Sequence, residues 1–222
     1  MKIENIKSCV FDAYGTLFDV NSAAAKCKEK LGSKWENFAN AWRTTQLEYT
    51  WLRSLMKKHK NFWEITEESL DHTMETFKIK KEMRNKLLDL YKKLNPYPEV
   101  KGCLEGLKAK KIKIAILSNG TPDLLRGLVE SNNIQNCFDD IFSIESVGIY
   151  KPDPKVYEMP IKKYGCKPEN ICFMSSNTWD VSGGGVFGYN AVWVNRLNKV
   201  FDKLSYKPKF VINNLKELLE II

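Results

Sequence analysis

Val10-Phe11-Asp12-Ala13-Tyr14-Gly15-Thr16-Leu17-Phe18-Asp19-Val20 is the stretch on which the fold turns, because a carboxylate ends a short apolar run and Gly and Thr follow at once. Residues 8–11 form a β-compatible run that a parallel sheet could bury, which places Asp12 where the strand gives way to a turn. Open α/β sheets bind their ligands at that edge. A lone Asp after a strand is as well explained by a turn or a helix cap, so the rest of the chain has to decide.

After Val20 the pattern becomes helical. Asn21 or Ser22 can cap a first helix, and residues 35–58 keep apolar positions at helical spacing. Thr66, with Glu67, Glu68 and Ser69 behind it, predicts a helix start before an amphipathic run over 70–77, and a further amphipathic helix is expected over 80–94. Asn95-Pro96-Tyr97-Pro98 stops the helical stretch, since proline lacks the N–H that a helix interior needs. Beyond it strands are expected at 112–117, 140–143, 171–174, 191–194 and 210–212, with helices over 100–110, 123–132, 155–164, from 178 onward, and over 215–221. Such alternation predicts an α/β fold built on a doubly wound, Rossmann-like parallel sheet. The all-helical piece becomes an inserted cap over 21–98, and residues 1–20 and 99–222 become the core. No internal repeat or low-complexity tract is present.

Three later segments end expected strands or turns in polar groups: Ile114-Ala115-Ile116-Leu117-Ser118-Asn119-Gly120, Tyr150-Lys151-Pro152-Asp153-Pro154, and Phe173-Met174-Ser175-Ser176-Asn177-Thr178-Trp179-Asp180. Together with the Asp12 segment, and in this order, they resemble the haloacid dehalogenase superfamily. Within it the chain is similar to the (S)-2-haloacid dehalogenases of type II, on Asp-x-Tyr-Gly-Thr, on Trp42-Arg43 through Gln46 to Arg53, and on Ser-Ser-Asn-x-Trp-Asp. The likeness spans nearly the whole chain.

The resemblance implies that Asp12 is a covalent nucleophile. It would attack C2 of a short (S)-2-haloalkanoic acid in line, expel halide and invert that carbon; water would then cleave the aspartyl ester at its acyl carbon and free an (R)-2-hydroxy acid. A carboxylate used in this way divides one hard displacement into two easier steps. Phosphatases of the superfamily carry a second Asp where this chain has Tyr14. Halide is a weak base that leaves without a proton, so the acid is dispensable, and Tyr14 supplies an aromatic wall beside Ala13 in the substrate site. Ser176 likewise stands where an acidic metal ligand usually falls, leaving Asp180 as the main candidate. With Lys151 nearby a divalent cation is disfavoured, and neither metal nor cofactor is expected.

The remaining roles follow from the same likeness. Arg43, with Leu47 one turn on along the same helix face, would receive the halide, while Leu47, Trp179 and either Phe62 or Trp63 would line the substrate pocket. Lys151 offsets the charge of Asp12 and Asp180. Ser118 and Asn119 would donate to the substrate carboxylate or to Asp12, Thr16 and Ser175 would fix Asp12, Asn177 and Asp180 would position and activate water, and Tyr157 would join the Lys151 network. His59 and His72 lie outside every motif and are assigned no chemistry. Gly183-Gly184-Gly185 lacks the Gly-x-x-x-x-Gly-Lys pattern of a phosphate loop and suggests close helix packing instead.

A net charge of +8 on 222 residues admits nucleic acid, an anionic membrane face or small anionic substrates. The lysines of 57–60, 78–86 and 108–113 fall on separate expected helices rather than in one stripe, so neither nucleic acid nor membrane is expected as a partner. The six cysteines form no Cys-x-x-Cys pair and sit mainly beside apolar residues, as free thiols of a reducing compartment do. No signal-peptide pattern precedes the first strand and no apolar run approaches the ~20 residues of a membrane span, which predicts a cytoplasmic protein. A homodimer is possible through the aromatic-rich stretch 49–55. The competing readings are a phosphomonoester phosphatase of the same superfamily and a basic, non-catalytic nucleic-acid-binding protein.

Overall fold

The computed structural model describes residues 2–222. Its first strand, β1 (Ser8–Phe11), is buried along its whole length, which is why it reads as a continuous run rather than an alternation. The chain then makes a tight turn in which Leu17 and Phe18 donate to the Ala13 carbonyl at 2.9 and 3.0 Å. Gly15, at φ +88°, supplies the left-handed residue of that turn and donates to the Phe18 carbonyl at 2.8 Å. From there the chain leaves the sheet for a helical insertion.

The insertion consists of α1 (Ser22–Ala25), α2 (Lys28–Leu31), α3 (Trp35–Met56), α4 (Phe62–Phe77) and α5 (Met83–Tyr91). The long pair α3 and α4 pack along each other. Outgoing and returning segments run side by side: Asp19 donates to the Asn95 carbonyl at 2.8 Å and Tyr97 to the Leu17 carbonyl at 3.0 Å.

The sequence expectation for α4 needs correction. The helix begins at Phe62, because Asn61 accepts the Glu64 N–H at 2.9 Å and Glu64 accepts the Asn61 N–H at 3.2 Å, a reciprocal cap. Thr66 is interior and turns its hydroxyl back onto the Phe62 carbonyl at 2.7 Å, so a cap-type residue was satisfied within the helix rather than at its start. The following helix is shorter than expected, at Met83–Tyr91.

The returning chain builds α6 (Val100–Ala109), β2 (Lys113–Ser118), α7 (Pro122–Ser131), β3 (Asp140–Ser143), α8 (Pro154–Tyr164), β4 (Ile171–Ser175), α9 (Thr178–Phe187), β5 (Asn190–Val194), β6 (Phe210–Ile212) and α10 (Leu218–Ile221). The strands form one parallel sheet in the order β3-β2-β1-β4-β5-β6. Helix α6 packs against α10 and α8 against α9, flanking the sheet. The order reverses beside β1, where the chain crosses from β3 to β4. The crevice at that reversal lies between the carboxyl ends of β1 and β4.

Gly183 and Gly184 allow α9 to approach its neighbours closely. A Cβ on Gly183 would sit 2.6 Å from Tyr157 Oη, and one on Gly184 would sit 2.8 Å from the Phe173 ring of β4. The glycine run therefore serves packing. Removing the reciprocal cap by Asn61→Ala is expected to lower stability by about 1 kcal/mol in urea denaturation; an unchanged midpoint would mean that α4 does not start where Asn61 caps it.

Candidate active site

Four strand ends and turns deliver the polar groups. Asp12 follows β1, Ser118 ends β2 and Asn119 follows it, Lys151 precedes α8, and Ser175 to Asp180 run from the end of β4 into α9. Asp153 caps α8 by accepting the Lys155 N–H at 2.9 Å, and the Lys151 N–H donates to Asn119 Oδ1 at 3.1 Å, so the lysine's backbone is held from both sides. Asn177 occupies the N-cap of α9 but makes no cap bond with its side chain. That amide is turned toward Asp12 instead.

The two oxygens of Asp12 differ in their surroundings. Oδ2 accepts from Asn177 Nδ2 at 2.9 Å and Thr16 Oγ1 at 3.0 Å, with Ser175 Oγ at 3.5 Å. Oδ1 faces Lys151 Nζ at 3.2 Å. The Thr16 hydroxyl is itself oriented by the Ser176 N–H, which donates to it at 2.8 Å, leaving its proton for the carboxylate. Ser176, where the related pattern has an acid, donates to the Gly15 carbonyl at 2.7 Å and closes the turn.

Lys151 is 1% exposed, and its Nζ lies 2.9 Å from Asp180 Oδ2 as well as against Asp12. It also sits 5.1 Å from the centre of the Phe173 ring. Tyr157 donates to Asp180 Oδ1 at 2.7 Å, and burial, with Asp180 adding to it, pushes the Tyr157 phenol far above its usual range, so that it stays a donor. Burial likewise pushes Asp180 up, to about 6, against the opposing pull of Lys151. Among the described residues no three His, Cys, Asp or Glu side chains gather where they could hold a metal ion.

Ser118 is fully buried; its Oγ accepts the Gly120 N–H at 3.1 Å and makes no bond to Asp12. Asn119 Oδ1 accepts from the Lys151 N–H, and neither Ser118 nor the Asn119 amide hydrogen-bonds Asp12, whose partners are Thr16, Lys151, Ser175 and Asn177. A cavity of about 480 Å³ opens beside this cluster, lined among others by Tyr14, Arg43, Leu47, Asn177, Trp179 and Arg196. Ala13 is fully buried in the turn after β1 and does not line the cavity. Phe62 packs on Tyr14 with ring centres 5.2 Å apart, whereas Trp63 faces a different hollow with Lys92 over its ring at 4.6 Å. That hollow, about 690 Å³, is the larger of the two, yet it holds none of the polar cluster. Of the two alternatives, Phe62 is the one beside the site.

Several residues that the sequence reading passed over support it. Arg43 Nη1 donates to Gln46 Oε1 at 2.8 Å, and Gln46 Nε2 in turn donates to Thr66 Oγ1 at 2.7 Å and Tyr91 Oη at 3.0 Å. Tyr91 stacks on Tyr14 at 5.7 Å. Trp51 meets Trp179 edge-on at 5.4 Å, joining α3 to α9. Gln46, three positions after Arg43 and so its neighbour along one helix face, carried a signal; Trp51 and Tyr91 carried none.

With this geometry in place, comparisons with known proteins agree on one family. The model of the haloacid dehalogenase-like hydrolases matches residues 6–188. The (S)-2-haloacid dehalogenase 1 of Pseudomonas sp. (strain CBS-3) is 41% identical over 223 residues, covering 99% of this chain and 98% of that protein. The crystal structure of a dehalogenase superimposes with TM-score 0.97 at 36% identity, covering 99% of this chain and 98% of the other. The L-2-haloacid dehalogenase of Xanthobacter autotrophicus with chloropropionic acid covalently bound superimposes with TM-score 0.90 at 33% identity over 97% of each chain.

The Asp180 environment has a measurable consequence. Its pKa rises from an aspartate's ordinary 3.8 to about 6, so the folded chain holds a proton in that interval which an unfolded chain has released. This group's contribution to stability is therefore complete below the lower value and is lost as pH rises through the upper one. Carboxyl-carbon NMR is expected to show one aspartate titrating near pH 6, moving higher still in Lys151→Met; a carboxyl that titrates with the ordinary aspartates would contradict the buried, lysine-bridged arrangement.

Proposed function

The chain belongs to the haloacid dehalogenase-like hydrolases, and from that membership we propose that it hydrolyses short (S)-2-haloalkanoic acids to (R)-2-hydroxy acids through an ester on Asp12, with inversion at C2 and without a metal ion. The observation that carries the reading is the buried Lys151 ammonium between Asp12 and Asp180. Tyr14 stands where a phosphatase would place its proton donor, and Ser176, which donates to the Gly15 carbonyl, stands where it would place an acidic metal ligand. In the proposed division of the chain, residues 1–20 and 99–222 supply the core and 21–98 the cap that carries Arg43.

The unequal oxygens of Asp12 assign the steps. Oδ2 is taken up by Asn177 and Thr16, so Oδ1 attacks C2 from the side opposite the halogen. Arg43, held by Gln46 and bordered by Leu47, receives the leaving halide as its charge develops. The substrate carboxylate takes hydrogen bonds from Ser118, whose proton is unspent on Asp12, and from the Asn119 amide. Tyr14, Phe62, Leu47 and Trp179 surround the carbon substituents.

Once the ester forms on Oδ1, Oδ2 becomes its carbonyl oxygen. The same three donors, Thr16, Asn177 and Ser175, then face the oxygen on which negative charge builds when water attacks Cγ. Asp180 accepts the water's proton; its pKa, pushed up by burial to about 6, brings it close to the working range of a general base. Collapse returns Asp12 and releases the hydroxy acid. The covalently bound chloropropionic acid in the Xanthobacter relative supports the ester step for this chain.

The test is halide release from (S)- and (R)-2-chloropropionate, with and without EDTA, followed by single turnover in H₂¹⁸O. Release from the S enantiomer alone, unchanged by EDTA and abolished in Asp12→Asn, is expected, with label entering Asp12 in the single turnover. Label confined to the product would establish direct attack by water instead. Mg²⁺-dependent phosphomonoester turnover without halide release would select the phosphatase reading, and steep salt-dependent nucleic-acid binding with an inert Asp12 would select the binding-protein reading.

A further inference from the structure

β5 ends at Val194, and the chain leaves the sheet through Asn195 and Arg196. The Arg196 guanidinium meets three partners at once. Nη1 pairs with Glu99 Oε1 at 2.5 Å, Nη2 donates to the Thr16 carbonyl at 2.8 Å, and the central carbon lies 3.8 Å from the middle of the Tyr97 ring. Thr16 belongs to the turn that carries the nucleophile. Tyr97 and Glu99 belong to the segment on which the helical insertion returns to the sheet.

The arrangement is desolvated, with the Arg196 and Glu99 side chains only 10% and 9% exposed. Loss of either partner would leave a charge largely cut off from water. Arg196 Nε is buried without a hydrogen-bond partner, so the position of the group is set by its two terminal nitrogens and its flat face. A planar fork can serve the Glu99 carboxylate and the Thr16 carbonyl together, whereas a lysine presents one compact charge.

We infer that Arg196 is a positioning residue for the Asp12 nucleophile, clamping the Thr16 turn to the returning linker of the insertion; the inference rests on the reaction proposed above. Its line of action is short. The Thr16 carbonyl fixes the plane of the turn, and the Thr16 hydroxyl, 3.0 Å from Asp12 Oδ2, then aims the carboxylate. The same guanidinium fixes the returning linker, whose partner strand is hydrogen-bonded to it between Leu17 and Tyr97. Arg196 thus ties the turn that carries Asp12 to the linker on which the insertion, and with it Arg43, returns.

The experiment compares wild type, Arg196→Met, Arg196→Lys, Thr16→Val and the Thr16→Val/Arg196→Met double variant in the full chain. It reads kcat and KM for (S)-2-chloropropionate and peptide-resolved hydrogen exchange. Arg196→Met is expected to lower kcat about a hundredfold, as a misplaced reacting group does, with KM within about threefold. Exchange should rise over residues 13–20 and 95–100 and not elsewhere. In the Thr16→Val background the same change should cost less than about threefold in kcat, because the path through the hydroxyl is already cut. Multiplying losses in the double variant, unchanged exchange in those segments, or a kcat for Arg196→Met within about threefold of wild type would overturn the inference. If Arg196→Met does not fold, Arg196→Lys carries the same comparison. Absence of haloacid turnover in wild type would refute the proposed reaction, while the exchange data would still decide whether Arg196 clamps the turn.

Discussion

One ammonium shared by two buried carboxylates is the constraint from which the rest of the site follows. Moving charges out of water is costly, and their mutual attraction offsets that cost only when the geometry is close and the remaining lone pairs are satisfied. Lys151 meets Asp12 and Asp180 at 3.2 and 2.9 Å, which leaves the trio with one negative charge in excess. The surrounding hydrogen bonds distribute that excess. Asp12 Oδ2 takes donors from Thr16, Asn177 and Ser175, Asp180 takes Tyr157, and burial still raises Asp180 to about 6. Substitution at any of these donors therefore acts on the charge balance of the trio as well as on a single bond.

The parallel sheet makes such a cluster possible. Each strand ends on the same edge, so residues far apart in the chain arrive side by side without any local attraction between them. β1 lies centrally, between β2 and β4, and its carboxyl end receives side chains from both neighbours and from the turn before α8. The cavity over that edge is closed by the insertion, whose α3 contributes Arg43 and Leu47 to its lining. Asp12 on the sheet and Arg43 on the insertion are thereby held by different parts of the fold, joined through a pair of antiparallel linkers.

How much of this was legible depended on how local the signal was. Asp12, Lys151 and the Ser175 to Asp180 run stand at strand ends or turns beside apolar segments, so their placement followed once the strand and helix alternation was recognised. Phe62 and Trp63 are adjacent, and a rotation of about 100° per helical residue sends Phe62 inward onto Tyr14 and Trp63 to a separate hollow. Choosing between them required the true start of α4, which Thr66 obscured by satisfying its hydroxyl inside the helix. Gln46, Thr66 and Tyr91 meet across three helices of the insertion, a contact that no spacing within one helix encodes. Arg196 follows a buried strand and precedes a stretch rich in exposed side chains, so by pattern alone it passes for a surface cation.

The central place of β1 also bears on how the chain comes into being on the ribosome. Ser8 to Phe11 leave the exit tunnel long before their partners on either side, Lys113 to Ile116 and Ile171 to Met174. The nascent strand must wait with both edges unpaired while the helices of the insertion, rich in contacts between near neighbours, take shape ahead of it. Pairings of such long range form slowly. Asp12 thus meets its lysine only after residue 151 has been made, and the lysine its second acid only after residue 180, and a product truncated before them would expose an apolar strand to its neighbours in the cell.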